Sequence, residues 1–189
     1  EERYKQMISE CLAGGTPFGI VWFDGQSIRP VGCTARVGEV LHRYEDGRMD
    51  ILTRGERRFF TETMFEEKPY LEADIRFIDD AEEKLDSEAL KAASALLGKL
   101  KGVGYGSDPI DELAGGDPRR LSFAIPALEG FTHAERQRFL EMTSTAERLQ
   151  KAAEALARIL ERVQVTRQIQ KIIGGNGQPP KEALYKMGA

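Results

Sequence analysis

Residues 71–78 read LEADIRFI, and after the acidic run Asp79-Asp80-Ala81-Glu82-Glu83 residues 87–102 read SEALKAASALLGKLKG. In the first stretch the apolar side chains Leu71, Ala73, Ile75 and Phe77 fall at every second position. In the second, Leu90, Ala93, Leu97 and Leu100 fall at intervals of three and four. Side chains alternate across a strand and recur about every 3.6 residues on a helix, so the hydrophobic period changes element type near residue 85. The expectation is an α+β chain with its sheet before that point and its helices after it.

Upstream, the same alternation recurs between turn signals. Phe18–Phe23 ends at Asp24-Gly25, and Val31, Cys33, Ala35 and Val37 alternate. The stretch 48–53 follows Asp46-Gly47, and another begins after Arg54-Gly55. These predict at least five short strands. Tyr4, Met7, Ile8, Cys11 and Leu12 predict a helix over 4–13, stopped by Gly14-Gly15.

Downstream, Asp86 or Ser87 can cap a helix that ends at Gly102. A loop rich in Gly, Asp and Pro follows, with one helical turn at 109–113, and 119–128 returns to helix. Thr132 with Glu135, and Ser144 with Glu147, read as capping boxes: a hydroxyl for the free first-turn amides and a carboxylate reaching back. The second opens a long helix, about 145–173, with Ala146, Leu149, Ala153, Leu156, Leu160 and Val163 as its seam. Glu147 with Lys151, and Glu154 with Arg158, are spaced as surface pairs. Past Arg167 the apolar positions move to Val165, Ile169 and Ile172. Gly174-Gly175-Asn176-Gly177 and Pro179-Pro180 close the helix, leaving a mobile tail.

The 189 residues are 41% hydrophobic and 31% charged, with 27 Lys+Arg against 31 Asp+Glu. A net charge of -4 disfavours general affinity for nucleic acid, which needs many phosphate-neutralising cations. Residues 1 to 84 hold 12 basic against 18 acidic residues, and the remainder 15 against 13. The densest basic cluster of the sheet half is Arg54, Arg57 and Arg58. Arg148, Lys151, Arg158, Arg162, Arg167 and Lys171 line the long helix as a hydrated face. Cys11 and Cys33 form no redox pair and make no disulfide framework, which fits a reducing, cytoplasmic setting. No apolar run is long enough for a transmembrane helix.

Motifs for chemistry are lacking. The 102–106 stretch GVGYG follows a helix and lacks phosphate-loop spacing, and Gly98-Lys99 sits inside a helix. His42 and His133 lie far apart and outside any ligand-spaced cluster, so no metal or other cofactor is expected. No G-x-S-x-G occurs, and neither cysteine neighbours a histidine. The chain does not read as an enzyme.

Several segments, in order, resemble the amino-terminal substrate-binding domain of Lon proteases. They are Glu2-Arg3-Tyr4-Lys5-Gln6-Met7, Pro17-Phe18-Gly19-Ile20-Val21, the 31–37 stretch VGCTARV, Tyr44-Glu45-Asp46-Gly47-Arg48, Gly55-Glu56-Arg57-Arg58-Phe59 and Pro69-Tyr70-Leu71. Leu121-Ser122-Phe123, Glu135-Arg136-Gln137 and Glu147-Arg148-Leu149 extend the match, which covers about residues 1 to 165. The resemblance implies a PUA-like β pseudobarrel over 1–84, a helical bundle over 85–173 and a tail over 174–189. In that family two further strands precede the first helix, so the first strands are expected to be missing. The ATPase and Ser-Lys peptidase modules of full Lon proteases are not in this sequence, which looks like the small stand-alone bacterial form or a cut fragment of a longer enzyme, with the Gly-Pro tail after Ile173 favouring the former.

The function so implied is non-catalytic binding of unfolded or extended polypeptides, with a protease or a second copy as further partners. An open sheet edge can accept an extended chain, and rim aromatics supply pockets. Met64, Phe65 and Tyr70, next to Glu66-Glu67-Lys68-Pro69, are the candidate binding residues. Phe60 is a fourth, although Phe59 and Phe60 also read as barrel core. The alternatives are an RNA-binding PUA-like module and an adaptor acting through the long helix.

Overall fold

The computed structural model describes residues 1–84, 87–105, 110 and 115–174. The element order is α1 (Glu2–Gly14), β1 (Phe18–Ile20), β2 (Val31–Arg43), β3 (Met49–Phe65), β4 (Glu72–Ile78), α2 (Ser87–Gly102), α3 (Pro118–Ala124), a 3-10 turn (Ile125–Ala127), α4 (His133–Glu141) and α5 (Thr145–Gly174). The chain is α+β. The turn expected at 109–113 lies outside the described residues except for Ile110, which is buried. Asp86 and the tail beyond Gly174 also lie outside them.

Two compact units form. Of the described residues, the first holds 1–82 and 133–143, and the second holds those within 83–132 and 144–174. In the first, the strands make an antiparallel sheet in the order β1-β2-β3-β4, so β1 and β4 are its edges. The described residues hold four strands rather than five or more short ones. The stretches on either side of Arg54-Gly55 are one continuous β3. The register steps from Cys33↔Arg58 to Ala35↔Gly55, so Gly55 marks a β-bulge and not a turn. Gly47 does turn the β2–β3 hairpin, where Tyr44 N–H donates to the Arg48 carbonyl at 2.9 Å. Gly15 ends α1 in the left-handed conformation, φ 61°, as glycine readily does.

Val31, Ala35, Phe59, Ile8 and Phe139 form the core of this unit. Phe139 is on α4, which the hydrophobic period assigned to the helical half. Polar side chains tie α4 to the sheet. Gln137 Nε2 donates to the Val31 carbonyl at 2.9 Å, and Arg58 Nη1 donates to the carbonyls of Leu140 and Met142 at 2.7 and 2.6 Å. Buried hydrogen bonds from a charged donor contribute about 1.5–3 kcal/mol each.

In the second unit α2 and α5 pack through Ala93, Leu97 and Leu100 on one side and Leu149, Ala152, Ala155, Leu156 and Ile159 on the other. The buried stripe of α5 is centred differently from the expected seam: Ala146, Ala153, Leu160 and Val163 are only half-buried. Arg148, expected on the hydrated face, is fully buried. Its Nε donates to Ser122 Oγ and its Nη2 to Thr145 Oγ1, both at 2.9 Å, and its guanidinium lies 4.0 Å from the Phe123 ring centre. Ser144 Oγ accepts from Glu147 N–H at 3.0 Å, as a capping box requires. The added carboxylate at this helix start comes from Glu83, whose Oε1 accepts from Ala146 N–H at 3.0 Å. Lys151 pairs with Glu154 at 2.9 Å.

Candidate functional site

Among the described residues β4 pairs with β3 along one side only, leaving a row of backbone N–H and C=O groups along its other edge. Cross-strand partners share a face of the sheet. Phe59↔Phe77, Thr61↔Ile75 and Met64↔Ala73 therefore lie on one face, whereas Phe60↔Arg76, Thr63↔Asp74 and Phe65↔Glu72 lie on the other. The register shift between Thr61 and Thr63 carries Met64 onto the Phe59 face.

The expected binding residues are thereby separated. Met64 stands on the Phe59 face, 41% exposed. Phe60 and Phe65 stand on the opposite face, half-buried, with Phe60 beneath the Arg76 guanidinium at 5.5 Å. Tyr70 is in the loop before β4, and its hydroxyl donates to Glu10 of α1. That bond holds the Glu10 carboxyl below its usual range and pushes the Tyr70 phenol up. Lys68 donates to the Tyr70 hydroxyl at 3.1 Å and pairs with Glu72 at 2.9 Å, which holds its ammonium charged beyond the ordinary lysine range. Tyr70 acts as a strut between α1 and the β3–β4 loop.

Two residues not singled out from the sequence complete the Met64 face. Ile75 and Phe77 are 37% and 41% exposed. Their alternation with charged residues marks a strand, but periodicity does not say whether the apolar side is covered. The Arg57 guanidinium lies 3.8 Å from the Phe77 ring centre and 3.8 Å from Asp79. A cation over an aromatic face leaves the ring edge open to an apolar neighbour. Between them Thr61 is 8% exposed, and its Oγ1 has no hydrogen-bond partner among the described residues. Such unpaired hydroxyls are uncommon in a folded chain.

Charged groups at the rim are paired: Arg76 with Glu62 at 3.2 Å, Lys68 with Glu72, Arg57 with Asp79. Met64, Ile75 and Phe77 thus form an exposed apolar strip on β3 and β4, beside the edge of β4. His42 packs edge-on to Tyr44 at 4.4 Å, and His133 stacks near Trp22 at 6.3 Å. Among the described residues no group of three or more His, Cys, Asp or Glu could hold a metal ion, and no helix is long and apolar enough to cross a membrane.

The sequence profile of the substrate-binding domain of ATP-dependent protease La (LON) matches residues 1–158. Two solved structures are similar. One is a Lon N-terminal domain protein from Xanthomonas campestris, at 19% identity and TM-score 0.61, covering 80% of this chain and 82% of that one. The other is the N-terminal domain of a Lon protease from Mycobacterium avium complex, at 18% identity and TM-score 0.62, covering 82% and 84%. At these identities the likeness is one of fold. No curated protein matches the chain.

Proposed function

The chain belongs to the Lon substrate-binding domain family, and on that premise we propose that it is a non-catalytic module that captures extended polypeptides on the edge of β4 and the exposed part of the face it shares with Phe59. The carrying observation is the coincidence of an unpaired strand edge with three exposed apolar side chains, Met64, Ile75 and Phe77, on one face. Backbone hydrogen bonds to the edge supply affinity without sequence preference, and alternate side chains of the bound segment meet the apolar floor. A labelled polypeptide kept unfolded by reduction and alkylation, titrated with the protein and followed by fluorescence anisotropy, tests this. Saturable binding supports the reading; no change in anisotropy sinks it.

An assembly role has one observation in its favour. Val165, Ile169 and Ile173, at i, i+4 and i+8 on α5, are 48%, 44% and 76% exposed. If copies pair through this stripe, Ile169→Asp shifts the particle to monomer in a sizing measurement and leaves helicity unchanged. A nucleic-acid surface has less to work with. Arg58 of the basic cluster is buried against Asp80, and Arg57 lies over Phe77.

A further inference from the structure

Two exposed arginines late in α5, Arg162 and Arg167, are held by backbone carbonyls. Ile159, Arg162, Val163, Thr166 and Arg167 follow at spacings of three and four, so they share one side of the helix. With Tyr105 and Gly130 they line an open pocket of about 380 Å³ within the second unit. Arg162 Nη2 donates to the Gly130 carbonyl at 3.3 Å, and Arg167 Nη2 donates to the Val103 carbonyl. Both guanidiniums are thus pinned by neutral acceptors, and neither has a carboxylate partner among the described residues. A guanidinium so held keeps further N–H donors in a planar fork that suits a carboxylate.

The pocket also has an apolar side, formed by Ile159 and Val163. Tyr105 walls it, its hydroxyl committed to the Glu129 carbonyl at 2.7 Å. Burial, with a smaller contribution from the Glu129 charge, raises the Tyr105 pKa, and Arg162 opposes the shift. The described lining carries two cations, Arg162 and Arg167, and no acidic side chain. The arrangement asks for a ligand carrying one negative charge next to an aliphatic group.

We infer that the Arg162–Arg167 pocket binds the C-terminal carboxylate of a polypeptide ending in an aliphatic residue, whose side chain rests on Ile159 and Val163. This rests on the polypeptide-binding reading and gives it a second, end-specific contact.

The test uses a dansyl-labelled peptide ending in Ala-Leu, made as the free acid and as the amide. The free acid should bind at least about tenfold more tightly than the amide, because charge-assisted hydrogen bonds are lost in the latter. The preference should shrink with added salt. Arg162→Gln should remove it, and Arg162→Lys should restore part of it, with thermal unfolding verifying that each variant is folded. Equal binding of acid and amide, or binding of neither while the unfolded polypeptide is still captured, would overturn this inference alone. Capture of neither peptide nor unfolded polypeptide overturns both.

Discussion

The Arg58 guanidinium and the Asp80 carboxylate form an ion pair with both side chains buried, 7% and 6% exposed. Arg58 also satisfies two carbonyls at the end of α4. Arg58→Met should destabilise the protein by about 3–5 kcal/mol, since it leaves a buried carboxylate without its cation. Replacing Asp80 by Leu in the same variant should recover part of the loss. By contrast, Arg36→Met, which removes a half-exposed pair with Glu56, should cost less than about 1 kcal/mol. Urea unfolding of the three variants measures this, and equal losses for Arg58 and Arg36 would contradict it.

Gly32 has no room for a side chain. A Cβ there would stand 2.4 Å from the Ile20 carbonyl oxygen and 2.7 Å from Phe59 Cζ. The first obstacle is backbone of the neighbouring strand and cannot rotate away. Gly32→Ala should therefore cost about 1–3 kcal/mol or more by overpacking. Gly98→Ala, where nothing lies within 4 Å, should be neutral or stabilising. Melting temperatures of the pair are the readout.

The split of the candidate residues between two faces makes a sharp comparison. Phe77→Ser should weaken capture of the unfolded polypeptide by about tenfold or more, as loss of an aromatic anchor does. Met64→Ser should act in the same direction. Phe65→Ser, on the opposite face, should leave affinity unchanged. If Phe65→Ser and Phe77→Ser weaken binding equally, the docking face is misassigned.

The start of α5 should be sensitive to acid. The Ala146 N–H, the Ser144 hydroxyl and the Thr145 N–H lower the Glu83 pKa from its ordinary 4.5. A carboxyl whose folded pKa is depressed contributes stability that is present above the unfolded value and lost as pH falls through the folded one. Melting temperature should therefore fall with pH below about 4.5, with Asp24, Asp46 and Glu56 acting in the same sense. Glu83→Gln should lower stability at neutral pH and make the acid limb shallower. An unchanged acid limb in that variant would remove Glu83 from the account.

Local chemistry was legible in the chain: the switch of period near residue 85, the Asp24-Gly25 and Asp46-Gly47 turns, the glycine stop of α1 and the hydroxyl cap at Ser144 all appear where the residues placed them. These features depend on neighbours within a few positions, which a linear reading sees. Gly55 misled because a bulge and a turn use the same residue, and only the register on β2 distinguishes them. Which face Met64 occupies, whether Ile75 and Phe77 are covered, and which carboxylate caps α5 depend on groups far apart in sequence. Arg148 was misplaced for the same reason. Its charge predicts solvent, but Ser122, Thr145 and Phe123 converge on it only after the helices pack. Sequence alone determined the family likeness and where helix and strand periods fall, because backbone preference and periodicity are local, but not that the stretches around Gly55 make one strand. Tertiary structure decided what is buried and what stays open, because desolvation is a property of the packed whole.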